Sequence, residues 1–291
     1  MPTKMWLRIW DVEHGACAMV QHILHTPAGE AWGKLAMIDS GSTADWSPSA
    51  HLSRLGFRRV DYLFITNADQ DHMSDLHRLE QAGIDVATLY RNPSYTGAQM
   101  QALKQQSGPL SADAQWYVQA CNSFNSPVTA PFDENMGGIT VRTFSNSINA
   151  LLNQNTNDLS LAVFLSYGGF TILFPGDLEK PGWRMLLTNS EFRAMLASTT
   201  ILVASHHGRE SGFCDEVFQH LQPRAVVISD KPIEHETQLM VPDYRNVIVG
   251  DGIIVSGHRR RRHVLTTRKD GWIQFEVNPD GTYNVYTEYT G

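Results

Sequence analysis

The sequence predicts a single α/β domain, and three observations support this prediction. Short apolar runs rich in β-branched and aromatic residues recur along the chain. Segments with helical periodicity separate several of these runs, and strands that alternate with helices are typical of α/β folds. Several runs lead directly into clusters of polar residues, and ligands of α/β proteins collect at such strand ends. We therefore expect one domain over residues 1–291, with its functional site at one edge of a sheet.

Ten segments are predicted to form strands because each combines apolar, β-branched and aromatic residues over a short length. In chain order they are MWLRIWDV, KLAMIDSG, DYLFITNAD, ITVRTFS, LSLAVFLSY, FTILFPGD, TILVASHHG, RAVVISD, NVIVGDG and WIQFEV. Candidate helices lie between them at residues 47–55, 74–82, 111–124, 182–187, 191–197 and 214–221. Ser74 is a suitable N-cap for the second helix, so the residues just before it are expected to form a loop.

Residues 92–138 differ in composition from their neighbours, since they contain more Gln, Ser, Asn, Pro and Gly. We expect a helical excursion from the domain, with one or two helices, rather than a separate domain. No segment has the composition of a linker.

Composition and charge exclude several classes of protein. The formal net charge is −7, which argues against binding nucleic acid through bulk charge but leaves a local basic groove open. The three cysteines lie far apart without a CxxC pair, so neither a zinc ribbon nor a redox pair is indicated, and a reducing compartment is expected. The first residues, MPTKMWLRIWDVEHG, become charged too early for a signal peptide, and no apolar run is long enough to span a bilayer. We expect a cytoplasmic protein without membrane contact.

Four predicted strands end in polar clusters, which suggests one shared site. LFIT is followed by Asn67, Asp69, Asp71 and His72; ILF by Pro175, Gly176 and Asp177; ILVA by Ser205, His206 and His207; and VVIS by Asp230, Lys231 and His235.

The first cluster indicates a divalent cation. Carboxylates two residues apart repel each other unless a positive charge neutralises them, and a metal ion does so most directly. Asp71 and His72 can reach one ion from a sharply turning loop. Asp177 can bridge two ions, and His206 can supply a further nitrogen from the next strand end.

The series NADQDH, FPGDLE and SHHG resembles the motifs of the metallo-β-lactamase superfamily, in the same order. That family's first motif is HxHxDH. Here Asn67 and Asp69 stand in place of its first two histidines, whereas Asp71 and His72 match directly. An aspartate at the second of these positions, here Asp69, is similar to the HxDxDH variant of the competence-channel (ComEC-type) branch. DVEHGAC, AMIDSGS and NDLSLAVFL also resemble segments of that branch, so the resemblance covers nearly the whole chain.

The resemblance implies a four-layer αβ/βα sandwich with metals at one edge. It implies that Asp71, His72, Asp177 and His206 form one metal site, and that Asn67, Asp69 and the bridging Asp177 form another. It also implies that standalone members of the branch act with a partner protein encoded in the same operon.

The second site departs from the family pattern. Asn67 is a neutral oxygen donor, and the chain has no histidine between His77 and His206. Oxygen ligands favour Mn²⁺ or Mg²⁺ over Zn²⁺. We expect one or two divalent ions, one held firmly and one weakly, with Mn²⁺ or Zn²⁺ favoured and Mg²⁺ as a further candidate.

This site predicts a phosphodiesterase, and most directly a nuclease. Two cations about 3.5–4 Å apart suit in-line attack of hydroxide on a phosphodiester. Asp71 is expected to take part in catalysis. His207, Lys231 and His235 are expected to contact phosphate or protonate the leaving oxygen. The run Arg259, Arg260, Arg261 and Arg262 can hold a nucleic-acid backbone.

Two other functions remain open from the sequence. One is hydrolysis of a small molecule, such as a lactone, a lactam or a cyclic nucleotide. The other is a catalytically silent domain that binds a protein or a nucleic acid, since Asn67 breaks the first motif. Metal content and cleavage of a phosphodiester separate these functions.

Overall fold

Two β-sheets lie face to face at the centre of the protein, in a computed structural model that describes residues 2–150 and 155–290. The strands are β1 (Pro2–Ile9), β2 (Ala18–Thr26), β3 (Gly29–Ile38), β4 (Arg59–Val60), β5 (Tyr62–Phe64), β6 (Asp85–Val86), β7 (Leu89–Tyr90), β8 (Thr140–Ser145), β9 (Leu161–Tyr167), β10 (Phe170–Phe174), β11 (Ile201–Val203), β12 (Ala225–Ile228), β13 (Val264–Thr266), β14 (Ile273–Val277) and β15 (Tyr283–Thr287). The first sheet has the order β15-β14-β1-β2-β3-β5-β7 and the second has the order β13-β12-β11-β10-β9-β8, while β4 and β6 form a separate pair.

Helices cover the outer face of each sheet. They are α1 (Pro48–Arg54), α2 (Gln70–Met73), α3 (Leu76–Gln81), α4 (Gly97–Gln105), α5 (Ala112–Ser123), α6 (Phe132–Asn135), α7 (Lys180–Leu186), α8 (Ser190–Ala197), α9 (Val241–Asn246) and α10 (Thr267–Asp270). No helix in the described part of the chain is both long enough and apolar enough to cross a membrane.

Three buried clusters of apolar side chains define four layers. The central cluster joins the inner faces of the two sheets, with Leu7 from β1 and Leu165 from β9 among its members. A second cluster lies between the first sheet and helices α1, α3, α4 and α5. A third lies between the second sheet and helices α7, α8 and α9. These layers confirm the predicted αβ/βα sandwich.

Strand direction brings the predicted functional loops to one edge. β5 pairs in parallel with β3 in the first sheet. β10, β11, β12 and β13 are parallel neighbours in the second sheet. The segments that follow β5, β10, β11 and β12 therefore leave the sandwich at strand ends that converge, as the sequence predicts.

The structure corrects several local predictions. Asp71 and His72 lie on the one-turn helix α2 rather than in a loop. Ser74 is not the N-cap of α3, because Asp75 has that position and the Ser74 hydroxyl accepts from Ser42 N at 2.8 Å. NVIVGDG forms no strand, and the segment predicted as a helix at 214–221 holds a 3₁₀ helix, Asp215–Gln219.

Residues 92–138 contain α4, α5 and the short α6, so this segment is helical and has one helix more than expected. α5 packs against α2 and α3, the helices that follow β5. Asp113 on α5 is buried and accepts from His77 N at 3.1 Å and from Gln70 Nε2 at 2.8 Å. The excursion is therefore attached to the part of the chain that carries Asp71 and His72.

Candidate metal centre

Four side chains that could hold a metal ion meet where the two sheets share an edge. Asp71 and His72 come from α2, Asp177 follows β10, and His207 follows β11. One ligand atom from each of the four lies within 4.8 Å of all the others. His72, Asp177 and His207 are buried, and Asp71 is partly exposed at the floor of a cleft of about 510 Å³.

A buried carboxylate orients His72. Its Nδ1 lies 2.9 Å from Asp39 Oδ2, and its Nε2 lies 3.0 Å from Asp177 Oδ1. Asp39 is itself fixed by hydrogen bonds from Thr66 N at 2.7 Å and from Thr66 Oγ1 at 2.5 Å. A histidine that donates through one nitrogen to a carboxylate presents its other nitrogen to a metal.

A backbone carbonyl orients His207 in the same way. Its Nδ1 donates to the Ser229 carbonyl at 3.1 Å. Its Nε2 is buried without a hydrogen-bond partner, 3.1 Å from Asp71 Oδ2 and 3.6 Å from Asp177 Oδ1. This nitrogen of His207 therefore faces two carboxylates across a short gap.

His206, which the resemblance implies as a ligand, lines the same cleft but is not one of the four clustered side chains. Its Nδ1 lies 2.8 Å from Ser211 Oγ and 3.4 Å from Glu179 Oε1. His206 and His207 have φ of 50° and 53°, in the left-handed region. This backbone turns the second histidine rather than the first towards Asp71 and Asp177.

Asp177 is placed by a tight turn after β10. Gly176 has φ of 61°, and a Cβ on it would lie 2.9 Å from Ser160 Cβ, so the turn requires glycine. Asp177 N donates to Ser160 Oγ at 3.0 Å. The carboxylate then faces both His72 and His207.

The charges in the cluster favour carboxylates in their ionised form. Burial raises the pKa of Asp71, but the close approach of His207 and the charge of His72 outweigh this effect and hold that pKa at about 2. Burial also opposes ionisation of Asp177, yet His72 and His207 hold its pKa well below the ordinary value. Burial lowers the pKa of His72, but the nearby carboxylates of Asp177 and Asp39 raise it by more. The pKa of His72 therefore lies well above its usual range.

These residues fit a divalent ion. A His207 nitrogen without a hydrogen-bond partner, a second inward-facing histidine nitrogen and two carboxylates form a mixed nitrogen and oxygen ligand set. Such sets bind Zn²⁺ and Mn²⁺. Both histidines have the outer hydrogen bonds that are typical of metal ligands.

The expected second metal position is occupied by donor groups of the protein. Asn67 Nδ2 donates to Asp69 Oδ2 at 3.2 Å, to Asn157 Oδ1 at 3.0 Å and to Asp177 Oδ2 at 3.2 Å. The ammonium of Lys104, from α4, pairs with Asp69 Oδ1. The structure thus brings Asn67 and Asp69 beside Asp177, but with N–H groups directed between them.

Two further residues line the cleft beside the cluster. His14 Nε2 lies 3.5 Å from Asp71 Oδ2, and the His14 ring packs against His207 at 4.5 Å. Burial and the neighbouring His207 lower the pKa of His14 to about 4. Arg209 Nη2 lies 3.3 Å from His14 Nε2.

The other predicted site residues lie farther from the cluster. Lys231 pairs with Glu234 at 2.8 Å, and His235 is exposed. The arginine run lies on the loop that leads into β13. β13 and β15 are edge strands of the two sheets, and Ser256 N on the same loop donates to Val285 O on β15. Arg262 forms two 3.0 Å bonds with Asp270, and Arg261 donates to Gly252 O. Among the described residues, no hydrogen bond or ion pair connects the run to the cluster.

Sequence patterns only partly reveal the residues around the cluster. His14 and Asp39 lie in the segments DVEHGAC and AMIDSGS, which the resemblance already singled out. Lys104 and Arg209 carry no local signal, because a single basic residue on a helix or after a turn is common on any protein surface.

Comparison with known proteins supports the resemblance found in the sequence. The chain is 23% identical over 248 residues to ComE operon protein 3 of Bacillus subtilis (strain 168), a match that covers 82% of this chain and 27% of that protein. The chain therefore spans about a quarter of the length of this relative. No family model matches the chain.

Solved structures with a similar arrangement include three hydrolases or lactamases. A diphosphatase from the PhnP family has 12% identity and a TM-score of 0.44, over 96% of this chain and 100% of that chain. Igni18, a metallo hydrolase from Ignicoccus hospitalis KIN4/I, has 13% identity and a TM-score of 0.41, over 84% and 93%. The metallo-β-lactamase IND-7 has 13% identity and a TM-score of 0.34, over 74% and 91%.

The layers, the order of the site loops and the match to ComE operon protein 3 agree with one another. The predicted resemblance is confirmed by the sequence match: this chain is similar to ComE operon protein 3, which supports the ComEC-like branch.

Proposed function

We propose that the protein is a metal-dependent phosphodiesterase whose substrate is a nucleic-acid strand. The observation that carries this proposal is the position of Arg209 next to the ligand cluster. Its guanidinium contacts His14, which in turn lies 3.5 Å from Asp71. Arginine binds phosphate oxygens through paired hydrogen bonds. A lactam or lactone ring has no phosphate group to pair with this cation.

The side chains of the cluster are oriented before any substrate arrives. A divalent ion bound by Asp71, His72, Asp177 and His207 would supply Lewis acidity to the phosphoryl group and lower the pKa of the attacking water. Asp39 and the Ser229 carbonyl hold the two histidines in place. Arg209 orients the phosphate, and the open cleft admits a chain on either side of it.

Lys231 and His235 are retained in this proposal as substrate contacts at the mouth of the cleft. The bond to Lys231 is the main cause of the lowered pKa of Glu234, and His235 and His14 also contribute to it. Ser229, two residues before Lys231, accepts a hydrogen bond from His207, so this loop begins beside the cluster. Lys231 and His235 would then contact phosphates that flank the one being cleaved.

The arginine run is retained as a second contact with the strand. Arg259 and Arg260 are exposed on the loop along the outer edge of the sandwich. Exposed arginines neutralise backbone phosphates without reading sequence. In this proposal the run binds nucleic acid at a distance from the cluster, and it has no part in metal binding.

Cleavage assays with metal-depleted protein test this function. The protein is treated with chelator, reconstituted with Mn²⁺, Zn²⁺ or Mg²⁺, and offered bis(4-nitrophenyl) phosphate, single-stranded DNA, plasmid and RNA. We expect metal-dependent phosphodiester cleavage that falls by more than about a hundredfold in Asp177→Asn. Arg209→Ala should raise KM for nucleic acid, whereas Arg184→Ala, which removes an exposed arginine paired with Glu216, should not.

Two results would contradict the proposal. One is hydrolysis of a lactone, a lactam or a cyclic nucleotide with none of DNA, RNA or the diester. The other is the absence of cleavage of every substrate by protein that has bound metal.

A further inference from the structure

We infer that this protein binds a single divalent ion, and that the ammonium group of Lys104 takes the place of a second one. The resemblance implies a second ion held by Asn67, Asp69 and Asp177. The atoms around that position do not fit a metal. The inference deepens the proposed function and rests on it, because both need an ion at Asp71, His72, Asp177 and His207.

Both oxygens of Asp69 are already occupied. Oδ1 pairs with Lys104 Nζ, and Oδ2 accepts from Asn67 Nδ2 at 3.2 Å. The positive charge of the ammonium group beside this carboxylate repels a cation brought to the same position. Asp69 is therefore paired within the protein.

Asn67 faces the same position with its donor group. Its Nδ2 is surrounded by three acceptor oxygens, from Asp69, Asn157 and Asp177, at 3.0–3.2 Å. Its Oδ1, the only atom of this side chain that can bind a metal, is buried and has no hydrogen-bond partner. The Asp177 oxygen that would bridge two ions, Oδ2, thus meets an N–H group instead.

Lys104 is placed by a firmly anchored helix. α4 begins with a capping box in which Thr96 and Gln99 bond each other's backbone N–H. Met100 is buried in the second cluster of apolar side chains, and Leu103 packs against that cluster. The Lys104 side chain is mostly buried, with 19% of it exposed. This lysine is consequently a fixed positive charge at the side of the cleft that Asp69 lines.

The positive charge of Lys104 can also bind the phosphate of the proposed substrate. An ammonium group has three N–H donors, and one bond to Asp69 leaves others free to meet a phosphoryl oxygen. Lys104 and Arg209 then supply fixed cations on the substrate side, and the single ion supplies Lewis acidity. The excursion at residues 92–138 provides Lys104, which gives this segment a function in the site.

Manganese stoichiometry tests the inference without relying on turnover. Protein is equilibrated with Mn²⁺ and desalted, its metal content is measured by mass spectrometry, and electron paramagnetic resonance separates isolated from spin-coupled ions. The variants are Asn67→His, Lys104→Arg, and Asn67→His combined with Lys104→Met. Lys4→Met is the matched control, since Lys4 forms a similarly exposed pair with Glu276 far from the site.

We expect one isolated ion per chain in the wild type, in Lys4→Met, in Lys104→Arg and in Asn67→His. We expect two coupled ions per chain only in the double variant, because it both removes the ammonium group and restores a nitrogen ligand. Circular dichroism and thermal unfolding establish that each variant is folded before its metal content is compared.

The outcomes distinguish this inference from the proposed function. Two ions in the wild type, two ions in Asn67→His with Lys104 intact, or one ion in the folded double variant would each overturn the role of Lys104 and leave the hydrolase proposal standing. A wild-type protein that binds no ion would overturn both.

Discussion

The two adjacent histidines after β11 have different surroundings because of one backbone feature. Both have positive φ, and this conformation turns His207 inward and His206 towards Ser211. His207 Nε2 is left without a hydrogen-bond partner beside Asp71. A residue with this geometry is a better metal ligand than its neighbour.

Replacing each histidine separately tests this difference. We expect His207→Ala to weaken Mn²⁺ binding by about a hundredfold or more, because it removes a ligand, and His206→Ala to weaken it by less than about tenfold. Titration calorimetry on chelator-treated protein measures both affinities. Equal losses in the two variants, or a larger loss in His206→Ala, would count against the assignment.

His51 provides a pH-dependent contribution to stability away from the metal cluster. The ring packs against Trp10 at 4.5 Å, and burial together with Arg54 and Arg8 lowers its pKa to about 4. The unfolded chain takes up this proton near pH 6.5, while the folded protein does so only near pH 4. Stability is therefore lost as the pH falls through this window.

The variant His51→Gln should reduce that loss. Between pH 7.5 and pH 5, we expect the wild type to lose about 1 kcal/mol more free energy of unfolding than the variant, after allowing for screening of this half-buried ring. Urea unfolding at both pH values, in the presence of chelator, measures this difference in free energy of unfolding. The same loss in both proteins would show that His51 titrates normally when folded.

The sequence predicted part of the site, and the remainder depended on three-dimensional packing. Asp71, His72 and Asp177 lie in recognisable motifs, and the structure brings them together. The choice between His206 and His207 depends on φ angles that an SHHG motif does not reveal. Lys104 reaches Asp69 from a helix 35 positions along the chain, a contact that no local pattern indicates.

Among the secondary-structure elements, α2 and α5 form the pair on which the cluster most depends. The buried Asp113 carboxylate accepts from Gln70, from His77 N and from His77 Nδ1, the last at 2.6 Å. Gln70 directly precedes Asp71 on α2. Asp113 therefore fixes α2 against the excursion.

Asp113→Ala should destabilise the protein by about 1–3 kcal/mol, because it leaves three partly buried donors without an acceptor. Asp85→Ala, at an exposed position on β6, is the comparison and should change stability by less than about 0.5 kcal/mol. Urea unfolding monitored by tryptophan fluorescence measures both. A change in Asp113→Ala no larger than that in Asp85→Ala would contradict this role.

Two errors in the strand predictions have identifiable physical causes: β2 was missed, and NVIVGDG was expected to form a strand but does not. β2 contains Gln21 and His22, which interrupt its apolar pattern, yet both are buried. His22 fits because Gly33 opposite has no side chain: a Cβ there would lie 2.0 Å from its Nε2. NVIVGDG has a strand-like composition, but its Val249 is exposed and lies outside any helix or strand. For β2, the neighbour across the sheet rather than the local sequence decides the outcome.

Across the whole fold, the ligand cluster connects the two halves of the sandwich. Asp71 and His72 follow a strand of the first sheet, and Asp177 and His207 follow strands of the second. An ion held by all four would bind only the folded chain, since unfolding separates its ligands. Metal binding should therefore stabilise the complete fold by mass action.

Thermal unfolding with and without metal tests this coupling. At a free Mn²⁺ concentration of 100 times Kd, the free energy of unfolding should increase by about 2.7 kcal/mol. This corresponds to a rise in Tm of about 5–10 °C for a chain of this size. Excess chelator should remove the rise. Asp177→Asn should show none at the same concentration, and an equal rise in that variant would place the stabilising ion elsewhere.

Anomalous diffraction from crystals equilibrated with Mn²⁺ is the most direct test of the metal centre. We expect one strong peak per chain, within about 2.0–2.3 Å of ligand atoms from Asp71, His72, Asp177 and His207. A peak bound instead by Asp69 and His206, or none between these four side chains in protein that has taken up Mn²⁺, would contradict the account.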